Sequence, residues 1–199
     1  MRLTTSDGHA LDADLVVPEH PMAAAVICHP HPQFGGNRHD HVVSRLFEVL
    51  PRHGCAALRF DFRREYGGGI DERLDVVAAL DALAAAVPGV PTHLVGYSFG
   101  AIVALGTLDD GTGDDRITGR VLVAPPLGAG LPEVTPARGP ILVITPEHDQ
   151  FCPPAAAAEA TASWPDTRLE TIPMADHFLA GRADVVAALT ATYLTEPSA

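Results

Sequence analysis

Positive charge is what this chain has least of: 13 Lys+Arg face 25 Asp+Glu, a formal net charge of −12 at pH 7. A polyanion would be repelled on average, which argues against nucleic acid or an anionic membrane surface as partner. Long apolar runs are also missing. No stretch approaches the roughly 20 residues of a membrane span, and the opening MRLTTSDGHALDADLVVPEH has no apolar core of signal-peptide length. We therefore expect a cytoplasmic protein without a membrane partner. Cysteine is sparse, and Cys28, Cys55 and Cys152 are odd in number, widely spaced and set in apolar surroundings. Reduced, buried thiols fit better than a disulfide framework, and nothing local supports a catalytic cysteine. Neither repeats nor an interdomain linker interrupt the 199 residues, so a single domain over 1–199 is expected, large enough to bury about 70% of its unfolded surface.

Short apolar runs punctuate the chain at 23–28, 55–60, 92–97, 120–125, 140–145 and 168–173. Continuous apolar runs of this length are the mark of strands buried on both faces. Between them, Leu, Val and Ala recur at three- and four-residue spacing near 41–50, 71–87, 99–108, 154–163 and 177–193, the helical period. Ahead of these lies a hairpin pattern: Arg2 to Thr5, an Asp7-Gly8 turn, then alternating Leu11, Ala13, Leu15 and Val17. The alternation of strand and helix predicts an α/β fold with a mostly parallel, doubly wound sheet of about eight strands and an N-terminal antiparallel hairpin. The Gly/Pro-rich segment 126–139 reads as a short loop, which leaves no room for a substantial lid.

The sharpest local signal is Gly96-Tyr97-Ser98-Phe99-Gly100, set directly after an apolar run and directly before a helical one. In that context G-x-S-x-G makes a nucleophile elbow, a tight turn that lifts the serine hydroxyl clear of the sheet. With 18 Gly and 5 Ser in 199 positions, chance supplies roughly 0.04 such matches before the context is counted. A serine hydroxyl is a weak nucleophile and needs a base held by a third group. Candidates follow in the expected chain order: Asp149 beyond the strand 140–145 and His177 beyond 168–173. Glu147 and Asp176 compete with Asp149 as the acid, and His148 competes with His177 as the base, although it sits beside the acid rather than on the following loop.

After the run 23–28 comes His29-Pro30-His31-Pro32-Gln33-Phe34-Gly35-Gly36-Asn37. A loop at this position supplies one backbone N–H of an oxyanion hole, and the residue after the nucleophile, Phe99, supplies the other. Proline lacks the N–H, which leaves His31 as donor. The same stretch admits a rival reading, a zinc site built from His29, His31, His39 and His41, because imidazole is a common zinc ligand. No Cys or Glu sits at metal-site spacing, however, and the oxyanion role accounts for the loop.

Taken together, HPHPQFGGN, LRFDFRREYGGG, GYSFGA, PEHDQFCPP and MADHFL resemble the cap-less α/β-hydrolases described as dienelactone-hydrolase-like or serine-aminopeptidase-like. The likeness runs from about residue 22 to 193 and implies the α/β-hydrolase fold and a Ser98, Asp149, His177 triad. It departs from true dienelactone hydrolases, whose nucleophile is a cysteine. The expected activity is hydrolysis of carboxylic esters or thioesters, acting on a small-molecule substrate through an acyl-enzyme, with no cofactor and no metal. A catalytically silent binding module on the same fold is the third reading. Pocket walls are expected from the loops 33–37, 64–70 and 127–131, while the substrate and the oligomeric state are not written in the motifs.

Overall fold

A computed structural model describes residues 1–107, 116–128 and 139–195. Eight strands form one sheet in the order β1-β2-β4-β3-β5-β6-β7-β8: β1 Arg2–Thr4, β2 Ala10–Val16, β3 Ala23–Cys28, β4 Cys55–Phe60, β5 Thr92–Tyr97, β6 Ile117–Val123, β7 Ile141–His148 and β8 Thr167–Asp176. The hairpin β1–β2 is antiparallel and joins β4 antiparallel; every later pairing is parallel. This is the α/β-hydrolase architecture read from the sequence.

The parallel strands alternate between two apolar faces. Ala25 and Ile27 of β3, with Val95, Val121 and Ile144, pack against α1 (His41–Val49) and α5 (Ala183–Thr195), the helix that follows α4 (Pro154–Thr161), through Val42, Leu46, Val186 and Leu194. Ala24 and Val26, with Leu58 and Leu94, meet α2 (Glu72–Ala86) and α3 (Phe99–Gly106) through Leu80, Leu83 and Val103 on the other side. Both faces being covered explains why these strands carry unbroken apolar runs. Truncating a core leucine such as Leu94 to alanine would cost about 2–5 kcal/mol.

Two features of this layout position the site. First, β4 lies on one side of β3 and β5 on the other, so the loops leaving the carboxyl ends of β3 and β5 diverge and open a crevice at the switch in strand order. Second, β7 and β8 run beyond the apolar stretches read from the sequence and stay paired as far as His148 and Asp176. Asp149 and His177 thus emerge at neighbouring strand ends.

The last helix corrects an expectation. The three- and four-residue spacing predicts helix from His177, but α5 begins at Ala183. Asp176 remains in β8, its side chain accepts the Phe178 N–H at 3.1 Å, and Leu179 sits at φ 53°, outside helical space. His177 is therefore on a loop. In the segment after β3, Pro32–Phe34 form a single 3-10 turn whose first amide N–H donates to the His31 ring (Gln33 N to Nδ1, 3.2 Å). Helix α3 is described as far as Gly106; Leu108, its expected end, lies outside the described residues.

Candidate active site

Ser98 sits between β5 and α3 at φ 53°, ψ −117°, a backbone state that costs on the order of 1–3 kcal/mol for a residue with a side chain. Neighbouring structure holds it there. The Ser98 N–H donates to Val123 O on β6 at 2.8 Å, and its carbonyl accepts from Ala101 N at 2.9 Å to start the helix. Both motif glycines are required by close approach. A Cβ at Gly96 would overlap the Gly100 carbonyl and the Ala101 backbone, and one at Gly100 would overlap the Cys28 carbonyl.

From this elbow the Ser98 hydroxyl reaches His177 Nε2 at 2.9 Å. On the other side of the ring, Nδ1 lies 2.9 Å and 3.1 Å from the two carboxylate oxygens of Asp149. Both partners are buried, Asp149 at 2% exposure and His177 at 6%. Asp149 is further fixed by accepting the amides of Phe151 (2.8 Å) and Cys152 (3.1 Å). With Nδ1 facing the Asp149 carboxylate and Nε2 facing the serine hydroxyl, the ring stands in the orientation a general base needs.

The competing residues stay out of this relay. Glu147 accepts the Met174 amide at 2.7 Å, Asp176 accepts that of Phe178, and the exposed His148 lies 3.9 Å from Glu147. Two partners of His177 escaped the sequence reading. Tyr97, the variable residue beside the nucleophile, donates its hydroxyl to His177 O at 2.9 Å, and Gln150 accepts the His177 N–H at 3.4 Å. The Tyr97 signal was present in principle, since a tyrosine at the end of a buried strand must find a partner for its hydroxyl.

His31 and Phe99 meet in the lining of the same cleft as Ser98. Their rings pack with centroids 4.7 Å apart, and the His31 ring also contacts Phe34 (4.9 Å) and Tyr66 (4.8 Å). As the first residue of α3, Phe99 has no intrahelical acceptor for its N–H, and the His31 N–H donates to no other group among the described residues. Burial among these rings pushes the His31 imidazole below its ordinary range. Behind it, Glu72, fully buried at the start of α2, accepts the amides of Gly67 and Gly69 at 2.8 Å each and so ties down the loop that carries Tyr66.

The four histidines of the zinc reading are not brought together. His29 is buried with its Nδ1 on Pro30 O (2.6 Å) and its Nε2 accepting from Phe62 N (3.0 Å); His31 is in the aromatic cluster, and His41 pairs with Asp40 at 3.7 Å. Among the described residues no three His, Cys, Asp or Glu side chains are grouped to hold a metal ion.

A cleft of about 620 Å³ opens over Ser98, His177 and His31, walled by Phe34, Phe151 and Phe178 among others. Of the three wall loops expected, 33–37 contributes Phe34, Gly35 and Gly36, whereas Gln33, Asn37 and Arg64 line a second cleft of about 410 Å³. Tyr66 packs on the His31 ring behind the lining. Leu127 packs with Leu105 and Leu122 instead, and residues 129–131 lie outside the described residues, as does most of the loop 126–139.

Comparison with known proteins gives the same architecture. No family model matches. An uncharacterised protein of Rickettsia prowazekii (strain Madrid E) is 35% identical over 95 residues, which are 44% of this chain and only 39% of that protein's length. Among solved structures, an α/β serine hydrolase homologue from Coxiella burnetii superposes with a TM-score of 0.86 at 24% identity, covering 98% of this chain and 96% of the other. A putative α/β hydrolase from Agrobacterium tumefaciens gives 0.84 at 27% identity over 98% and 94%. An α/β serine hydrolase without a lid from Xanthomonas campestris gives 0.84 at 24% over 100% and 95%. By fold, the chain is similar to these α/β-hydrolases.

Proposed function

We propose that this protein is a serine hydrolase that cleaves carboxylic esters or thioesters of small molecules through an acyl-enzyme. One observation carries the reading: an unbroken relay from buried Asp149 through His177 to the Ser98 hydroxyl, ending at an open cleft. Ser98 Oγ attacks the carbonyl carbon while His177 Nε2 takes its proton, and Asp149 stabilises the imidazolium that forms. The N–H groups of His31 and Phe99 receive the developing oxyanion, a role worth several kcal/mol when donors are fixed in advance. His177 then returns the proton to the leaving group. Water repeats the attack on the acylated Ser98 with His177 again as base, releasing the acid and restoring the hydroxyl, so the cycle balances with water alone.

The Ser98 hydroxyl, 2.9 Å from His177 Nε2 and lining the cleft, favours an enzyme over a silent binding module, because a nucleophile beside its base is what acyl transfer needs. A fluorophosphonate probe tests the reading directly. The expected result is stoichiometric labelling at Ser98, abolished in Ser98→Ala, together with turnover of simple esters; a folded protein that neither labels nor hydrolyses any ester removes the assignment.

A further inference from the structure

Two phenylalanines flank the base. The Phe151 ring meets the His177 ring edge-on with centroids 4.5 Å apart, and Phe178 does so at 5.8 Å; both line the cleft, and both remain more than half exposed, at 53% and 58%. Their backbones are fixed by the relay itself, since the Phe151 N–H is held by Asp149 and Phe178 follows His177 directly. Large apolar rings left in water at a cleft wall are surface waiting to be covered by a ligand. Charge is absent from the same wall in one sense only. The chain contains no lysine, the described residues lining the cleft include no arginine, and a carboxylate is present at Asp40.

We infer that the cleft is built for esters of uncharged aromatic alcohols, with Phe151 and Phe178 forming the wall against which the departing alcohol lies. This rests on the acyl-enzyme reading above. In acylation the C–O bond breaks, its electron pair goes to the alcohol oxygen, and His177 Nε2 delivers to that oxygen the proton taken from Ser98. The oxygen must then be within hydrogen-bond reach of Nε2, and whatever it carries lies beside the imidazole, where the two rings stand. An aryl group there meets edge-to-face partners. An anionic carrier such as coenzyme A would meet no lysine or arginine among the described lining residues and a protein of net charge −12 with its histidines neutral. Once the phenol has left, the wall has no further role, because deacylation involves only the acyl group and water.

The test keeps the acyl group constant and varies the alcohol. Phenyl acetate and hexafluoroisopropyl acetate have leaving groups of similar acidity, so the ratio of their kcat/KM values reports recognition. The wild-type chain is expected to favour the phenyl ester by about tenfold, the size of two aromatic contacts. In Phe151→Ala/Phe178→Ala, shown folded by circular dichroism, the ratio should fall toward one. Single Phe151→Leu and Phe178→Leu variants, which keep apolar bulk without a ring, should each lower it and stand in if the double variant does not fold. Equal loss on both esters with the ratio preserved would mean that the rings only position His177, and would overturn the inference. So would a wild-type ratio near one, or faster turnover of acetyl-coenzyme A than of phenyl acetate. Failure of every ester together with failure of fluorophosphonate labelling would instead sink the underlying hydrolase reading.

Discussion

One loop, residues 30–37, separates two clefts of comparable size, and Gly36 lines both. The second is the more polar to look at, with Asp12, His29, Asn37, Asp61, Arg63 and Arg64 along it. Yet its charges are largely closed upon one another. Arg63 is bound by Asp75 and Asp7, Asp61 by the side chain and amide of Arg38, and both His29 nitrogens by backbone. In the larger cleft the chain of polar groups is open at one end: Asp149 and His177 are saturated on their inner side, and the serine hydroxyl faces free space. What sets the proposed active cleft apart is the direction in which hydrogen bonding is left incomplete, a more useful guide than volume or the number of polar side chains.

The largest test of that contrast is Ser98→Ala. Removing the open end should lower kcat/KM by on the order of 10⁴–10⁶-fold with an unchanged circular dichroism spectrum. Retained turnover in the folded variant would mean that the nucleophile is elsewhere, and the second cleft would become the place to search.

Next in size is the wall the two clefts share. His31 has φ −57° and ψ 121°, which is proline's own φ and an acceptable ψ ahead of Pro32. His31→Pro can therefore fit while deleting one N–H, at an expected cost of about 10²–10³ in kcat. His31→Ala keeps the N–H and loses the ring packing, so a fall of about tenfold or less is expected. Equal loss in both variants would assign the effect to the imidazole.

How much of this contrast was legible beforehand differs from one residue to another. Strands β3, β4 and β5 were readable to the residue because both faces are covered, and the elbow was readable because close backbone approach demands its two glycines. The start of α5 was not, because helical spacing continues back through Phe178 while a side-chain turn at Asp176 and the positive φ of Leu179 override it. Glu72 and Asp75 look in sequence like ordinary solvated acids at a helix start. The turn before the helix folds the Gly67 and Gly69 amides back onto Glu72, and Arg63, 12 residues away, closes onto Asp75, so that both acids are fully buried. Tyr97 and Gln150 likewise find His177 across 80 and 27 residues of chain, distances that no local pattern encodes.

Acid should reach the second cleft through His29. Its imidazole is held below the ordinary value first by burial, with the Pro30 carbonyl opposing, and its Nε2 must stay unprotonated to accept from Phe62 N. His93, half-buried at the far end of β5, is pushed down to about 4 by the same cause. Groups whose folded value is depressed bind fewer protons when folded, so the stability they contribute is present above about pH 6.5 and is lost as pH falls toward the folded value. Urea midpoints should therefore decline from pH 7.5 to pH 5. His29→Gln should be less stable at neutral pH but lose stability less steeply, by up to one proton or about 1.4 kcal/mol per pH unit. Identical slopes in variant and wild type would show that His29 does not titrate in this window.

The smallest effect is expected where the contrast is most exposed to failure, at Asp61. Its carboxylate takes the Arg38 amide at 2.7 Å and the Arg38 guanidinium, and Arg38 also leans on Asp14 at 3.2 Å, which Arg59 shares at 3.0 Å. Because these groups are partly exposed and Arg38 keeps Asp14, Asp61→Ala should cost only about 1 kcal/mol of stability. Arg38 sits just past the loop that separates the clefts, yet no hydrogen bond runs from Asp61 to His31, Ser98 or His177 among the described residues. Ester turnover by Asp61→Ala should accordingly stay within about twofold of wild type once both are compared well below their unfolding midpoints, a difference of less than 0.5 kcal/mol in the barrier. A tenfold fall in kcat with KM unchanged would show that the saturated network of the second cleft holds the His31 amide in place. The two clefts would then be one device, with the closed network serving as the rigid backing of the open one.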